Sequence, residues 1–227
     1  MKIIVTKLQK KAQCTVDKIS IVYEDNSVIV CIKPRGIISQ ADSGGKQSMI
    51  SLLQEQCNCT VYPLHRLDRE VGGIMVYAKT KSSASFLSRE IAEHRFIKEY
   101  IAVIHSKPEN EQGILTDLLF KDSRKNKSYV VNRERKGVKK ASLEYSVIET
   151  FKIDDTEYSK VKILLHTGRT HQIRVQFSSR KMPLIADKKY GACDNFKSLG
   201  LWSYRISFKN PETKKDLTFF AEPQFDF

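Results

Sequence analysis

Cysteine is scarce and badly spaced for a metal or a disulfide framework. The 227 residues hold five, Cys14, Cys31, Cys57, Cys59 and Cys193. Cys57 and Cys59 are close in sequence, but no second close pair completes a four-ligand zinc set, and an odd count in a chain of this length does not suggest a disulfide framework. The expectation is reduced thiols in a cytoplasmic protein with no bound metal. Long apolar runs are also missing. The short stretch Met1–Val5 carries a lysine and cannot serve as a signal-peptide core, and nothing downstream is long enough to span a bilayer. Acidic residues are few relative to basic ones: 26 Asp and Glu face 39 Lys and Arg, a formal charge of +13. That imbalance favours a polyanionic partner, because each cation set on a phosphate releases condensed counterions. The alternatives are a merely solubilising surface and an anionic membrane, for which no basic amphipathic helix stands out.

Hydrophobic residues make up 41% of the chain, enough for a globular core. Ile19–Tyr23 and Val28–Lys33 are β-branched runs joined by Glu24–Ser27, a hairpin signal. Lys33-Pro34-Arg35-Gly36 reads as a turn and Asp42–Lys46 as a loop. Helical spacing marks Ser48–Gln56 and Lys81–Glu93, the latter with Phe86, Leu87 and Ile91 on one face and Thr80 or Ser82 as the cap. Further strands are read at Gly73–Ala78, Glu99–Ile104, Leu143–Glu149, Ser159–His166, Trp202–Phe208 and Leu217–Phe220. Residues 121–140 hold nine Lys/Arg and two acids; they read as an exposed basic hairpin or as a solvated connector. Strands outnumber helices and are joined by short polar links. The fold class expected is therefore α+β, with a mixed, mainly antiparallel sheet, packed helices and a central cleft.

Three segments carry candidate chemistry. In His65-Arg66-Leu67-Asp68-Arg69-Glu70, a polar connection before a strand, Asp68 lies between two cations that would favour a charged, nucleophilic carboxylate. Taken alone, such an Asp is more often a surface ion pair. In Thr167-Gly168-Arg169-Thr170-His171-Gln172-Ile173-Arg174, the glycine would permit a bend, Thr170 would cap a helix, and Arg174 would lie one turn inside it. The free N–H groups at that helix start could hold a phosphate or carboxylate. His171 reads better as a hydrogen-bonded structural histidine than as a catalyst. In Lys98-Glu99-Tyr100, Tyr100 is an ordinary buried tyrosine unless it faces the same cleft as Asp68.

Together, and in order, these segments resemble the RluA-like family of pseudouridine synthases. The strings are Ile21–Asp25, Lys33–Gly36, His65–Asp68, Lys98–Tyr100, Gly168–Arg174, and Pro183–Asp187 leading to Tyr190-Gly191. The resemblance implies an isomerase that needs no cofactor or metal and acts on ribosomal or transfer RNA. It implies that Asp68 is the catalytic aspartate and that Arg174 pairs with it. It implies that Tyr100 stacks against the target base and is a candidate to remove its C5 proton, and that Arg66 fills the gap left by a flipped nucleotide. His65, Arg69, Arg169, Thr170 and Ile173 are the remaining implied substrate contacts.

The chain departs from the family pattern in two places. Val71-Gly72-Gly73 stands where Thr-Ser-Gly is frequent, and Leu201-Trp202-Ser203 where Leu-His-Ala is frequent. Residues 1–18 are expected to be a short N-terminal segment rather than an S4 RNA-binding module, with the catalytic domain over 19–227. No obligate protein partner is expected, and a monomer is the simplest assembly. Two rival readings are an RNA-binding protein without turnover and a hydrolase with two carboxylates acting on a nucleoside or glycoside.

Overall fold

The computed structural model describes residues 18–41 and 47–225. The N-terminal segment and the 42–46 loop read from the sequence therefore lie outside the described residues, apart from Lys18. The elements in chain order are β1 (Ser20–Glu24), β2 (Val28–Lys33), α1 (Met49–Cys57), β3 (Tyr62–Pro63), β4 (Gly72–Ala78), α2 (Lys81–Ala92), β5 (Ile97–His105), β6 (Gln112–Asp122), β7 (Lys127–Val131), β8 (Val138–Ile153), β9 (Thr156–Leu165), α3 (Gln172–Ser178), β10 (Leu201–Lys209) and β11 (Asp216–Phe220). All eleven strands join one sheet in the order β1-β2-β4-β10-β5-β9-β8-β6-β7, with β11 on β10 and β3 on β4. β10 runs parallel to β4; the other pairings are antiparallel. The architecture is thus α+β with a mixed, mainly antiparallel sheet, as the strand-rich pattern implied.

Alternation along the central strands builds two cores. Ile29, Cys31, Met75 and Tyr77 pack on one face with Met49, Leu52 and Leu53 of α1 and with Ile173 and Phe177 of α3. Val28, Val30, Ile74 and Val76 pack on the other face with Leu87 of α2 and with Ile206 and Phe208. Every residue of β4 is buried, as expected of a strand covered on both sides. Tyr100, Ala102 and Ile104 of β5 share the α1/α3 face. No helix among the described residues is long and apolar enough to cross a membrane.

The helix starts divide into expected and unexpected. Thr80 caps α2, its side chain accepting from the Ser83 N–H at 3.1 Å. Thr170 does not cap α3. The N-cap is His171, in the left-handed region at φ 53° and with no side-chain cap. The chain bends there rather than at Gly168, and the physical reason is the Gln172 side chain. Its Oε1 accepts from the Arg169 N–H at 3.1 Å and from Thr167 Oγ1 at 2.7 Å, while its Nε2 donates to the Ser142 carbonyl at 3.1 Å. One carboxamide therefore closes the turn that a threonine cap was expected to close. The basic segment 121–140 is mostly exposed hairpin, formed by the end of β6, by β7, and by the link into β8. It is more than a connector, because Ser128 Oγ donates to the Thr170 carbonyl at 2.6 Å and its N–H donates to the Tyr190 hydroxyl at 2.9 Å.

Candidate active site

Asp68 stands in the loop between β3 and β4, and the preceding Lys33–Ser39 segment holds that loop from behind. The Arg69 carbonyl accepts from the Gly36 N–H at 2.8 Å and from Lys33 Nζ at 3.0 Å. Ser39 Oγ donates to the Leu67 carbonyl and accepts from the Leu67 N–H, at 2.9 and 3.0 Å. Val71 N–H closes a turn on the Asp68 carbonyl at 3.0 Å. Lys33 is fully buried with carbonyl partners, and that burial lowers its pKa to about 7, against the opposing pull of Glu70 and Asp68. The Lys33–Gly36 turn thus clamps the loop that presents the carboxylate.

Asp68 meets Arg174 across the cleft. Arg174 Nη1 donates to Asp68 Oδ2 at 3.0 Å, while its Nε and Nη2 form a two-pronged pair with Asp187 at 2.7 and 2.8 Å. Asp187 is completely buried, and the Arg174 side chain nearly so. Burial works against the guanidinium charge, but the Asp187 hydrogen bonds and both carboxylate charges outweigh it, so the pKa of Arg174 is raised. Asp187 is in turn held by its loop. The Ile185 N–H donates to the Val103 carbonyl of β5 at 3.0 Å, and Asp194 accepts from the Ala186 N–H at 3.0 Å. Asp68 Oδ1 meets no donor among the described residues and remains available to a substrate.

His171 stands beside this pair, its Nε2 at 3.7 Å from Asp68 Oδ2. Its Nδ1 lies 2.9 Å from the Tyr190 hydroxyl, which already accepts from the Ser128 N–H. The hydroxyl therefore donates its proton to Nδ1, which places the imidazole proton on Nε2, toward Asp68. Burial lowers the His171 pKa and pushes that of Tyr190 up to about 12, so both groups are neutral near pH 7. His171 is hydrogen-bonded, as the sequence suggested, and its ring also lines the cavity beside Asp68.

Asp68, Arg174 and His171 line a cavity of about 460 Å³ together with His65, Arg66, Tyr100, Arg169 and Ile173. Asp68, Arg174 and Tyr100 converge there from 106 residues of separation. Tyr100 is buried, and burial followed by the Asp68 charge raises its pKa, which keeps the phenol protonated. His65 uses Nε2 to accept from the Val76 N–H at 3.3 Å; burial and Lys98 push its pKa down to about 3, leaving a neutral ring. Two of the expected contacts lie elsewhere. Arg69 turns away from the cavity, its Nε donating to the Gly36 carbonyl at 2.8 Å, so it ties the loop together. Thr170 contributes its carbonyl to Ser128 and does not line the cavity. The counter-charge for Asp68 comes from Arg174 rather than from its flanking arginines. The residues that motif reading missed are Asp187, Tyr190 and Lys98. All three lie within the strings that carry the resemblance, which by themselves assigned them no role. Among the described residues no group of three or more His, Cys, Asp or Glu is placed to hold a metal.

The family described as RNA pseudouridylate synthase matches residues 27–179, two-thirds of the chain and nearly all of the site. The chain belongs to that family. It is 31% identical over 219 residues to ribosomal large subunit pseudouridine synthase C of Buchnera aphidicola subsp. Baizongia pistaciae, covering 91% of this chain and 68% of that one. It is 30% identical over 204 residues to ribosomal large subunit pseudouridine synthase D of Borreliella burgdorferi, covering 83% of this chain and 60% of that one. The RluA-like resemblance carried by the motifs therefore stands. Among solved structures, human RNA pseudouridylate synthase domain containing 1 shares the fold, with a TM-score of 0.78, 21% identity, and coverage of 92% of this chain and 85% of that one.

Proposed function

We propose that this protein isomerises uridine to pseudouridine in RNA, with Asp68 as the catalytic carboxylate and ribosomal RNA as the substrate class. The observation that supports it best is the Asp187–Arg174–Asp68 chain at a cavity shared with Tyr100. The reaction breaks the N1–C1′ bond of uridine and forms C5–C1′; N1 gains a proton and C5 loses one, with no net redox change. It needs a charged carboxylate within reach of the nucleotide and a pocket that receives a base taken out of its stack. Arg174 supplies the counter-charge to one carboxylate oxygen, and the other is unengaged. Tyr100, buried at the cavity wall with its phenol held protonated by burial and the Asp68 charge, is suited to lie against the base face. Arg66 and Arg169 at the cavity wall, together with the basic 121–140 hairpin, provide phosphate contacts. The ribosomal assignment follows the names of the two relatives.

A hydrolase of the two-carboxylate type fits poorly, because Asp68 is the single acid among the described residues that line the cavity. The deciding experiment follows tritium release from ribosomal and transfer RNA labelled at uridine C5. Wild type releases tritium from ribosomal RNA without free uracil, and Asp68→Asn releases none. Free uracil among the products would replace the isomerase with a hydrolase. Tritium release by Asp68→Asn at the wild-type rate would remove the carboxylate from the mechanism.

A further inference from the structure

The cavity holds a buried cation that the reaction described above does not use. Lys98 lies on β5 two residues before Tyr100, so both side chains leave the same face of the strand, roughly 7 Å apart along it. Lys98 is 9% exposed, lines the same cavity as Asp68 and Tyr100, and its ammonium lies 3.8 Å from where a Cβ on Gly168 would sit. Among the described residues no carboxylate comes within ion-pair distance of it, and no hydrogen bond from its Nζ is present. The nearest acids along the chain do not serve it: Glu99 points to the opposite face and pairs with Arg205 at 3.2 Å, and Asp68 pairs with Arg174. The stem of Lys98 is buried, while its ammonium, which is not among the fully buried unpartnered atoms, opens into the cavity without a counter-charge. Burial lowers its pKa, and no acid opposes the shift.

We infer that Lys98 forms the phosphate subsite of this cavity, pairing with a phosphodiester that flanks the uridine whose base lies against Tyr100. This rests on the proposed RNA substrate. Phosphodiesters are the permanently charged groups of RNA, and a lysine ammonium recognises them as a compact point charge. The spacing on β5 lets one strand face hold a base at Tyr100 and the attached phosphate at Lys98. Arg66 and Arg169 also line the cavity, and Lys98 differs from both in standing on the strand that carries Tyr100.

The test uses the full chain and three probes: uridine, uridine 5′-monophosphate and uridine 3′-monophosphate, titrated by NMR chemical-shift perturbation. In wild type and Lys98→Arg, one monophosphate binds at least about five-fold more tightly than uridine, and its identity tells which flanking phosphate is held. In Lys98→Met that preference vanishes, while the melting temperature stays near the wild-type value, because the ammonium has no protein partner to lose and the apolar stem is kept. A preference that survives in Lys98→Met, or the absence of any preference in wild type, overturns the subsite. These outcomes are independent of the isomerase reading. Tritium release by a wild-type protein that shows no monophosphate preference removes the subsite alone, and absence of release from any RNA removes the reaction.

Discussion

Replacing Asp187 by asparagine preserves the side-chain shape and removes a charge that contacts no solvent. Two of the three carboxylate hydrogen bonds of Arg174 go to Asp187, at 2.7 and 2.8 Å, and the third goes to Asp68 at 3.0 Å. Removing one member of a buried ion pair costs about 3–5 kcal/mol, because the partner charge stays buried without compensation. Asparagine can still accept one hydrogen bond, which places the cost near the lower end, at about 3 kcal/mol. In a domain of this size each kcal/mol lowers the melting temperature by roughly 2–4 °C, so the expected fall is about 6–12 °C. Catalysis should fall as well, without Asp187 touching substrate. An arginine freed from its two-pronged partner no longer presents a fixed Nη1 to Asp68, so kcat drops while RNA affinity changes little. Thermal denaturation followed by circular dichroism gives the first quantity, and single-turnover tritium release gives the second. A companion variant with Asp187→Leu and Arg174→Met should lose less stability than the two single losses added together, since no fully buried charge is left unpaired and Asp68 stays partly exposed. If Asp187→Asn melts within about 2 °C of wild type with an unchanged kcat, the buried pair does not hold Arg174 in place, and the positioning argument fails.

Lys33 makes stability depend on pH. Its folded pKa of about 7 lies below the ordinary lysine value of 10.5, so between those values the unfolded chain binds the extra proton. Stability therefore rises with pH across that window, by up to about 1.4 kcal/mol per unit. Urea midpoints between pH 7 and 9 should rise more steeply for wild type than for Lys33→Met, and parallel curves would refute the assignment. Gly72→Ser should cost about 1–3 kcal/mol as overpacking, because its Cβ would come within 2.4 Å of the Trp202 ring. Combined with Trp202→His it should be less destabilised than the two single losses summed, as read from denaturant midpoints. A double variant at or below that sum would show that the positions are independent.

Much of the scaffold could be read from local patterning, because each legible element carries its own signal. β2 and β4 are runs of apolar and β-branched residues, α2 has a capping threonine and a 3.6-residue apolar face, and the hairpin of β1 and β2 has polar turn residues. β6 is not legible from the sequence because Gln112–Asp122 shows only broken alternation, and its pairing with β8 depends on residues 18 to 34 positions away. The start of α3 was misplaced for a related reason. Thr170 has the right chemistry for a cap, but the turn is closed by Gln172 reaching back to Arg169 and across to Ser142. The Asp68–Arg174 pairing was legible only through motif resemblance, since nothing local in either segment points to a partner 106 residues away. Asp187 was invisible to local reasoning. A single acid in a loop carries no sign of being buried, and its importance comes from where β5 anchors that loop.

The two departures from the family pattern, read separately along the chain, meet in space. β10 runs parallel to β4 with Trp202 opposite Gly72 and Ser203 opposite Gly73. On its other edge the same strand pairs Ser203 with Tyr100. β10 is thus the spacer between the strand that follows the Asp68 loop and the strand that carries Tyr100. The approach is close: a Cβ on Gly73, whose φ is +120°, would fall 2.3 Å from the Ser203 carbonyl oxygen, and a Cβ on Gly72 would strike the Trp202 ring. Trp202 is 2% exposed and fixed by its Nε1 donating to the Ala221 carbonyl at 2.9 Å, so it cannot retreat. Gly72 and Trp202 are therefore one packing solution in this chain. The glycine makes room for the indole, and the indole fills the space beside the strand. The distance between the carboxylate loop and the phenol is then set by backbone contact at Gly73, where no side chain intervenes, and only indirectly by the residues that vary around it.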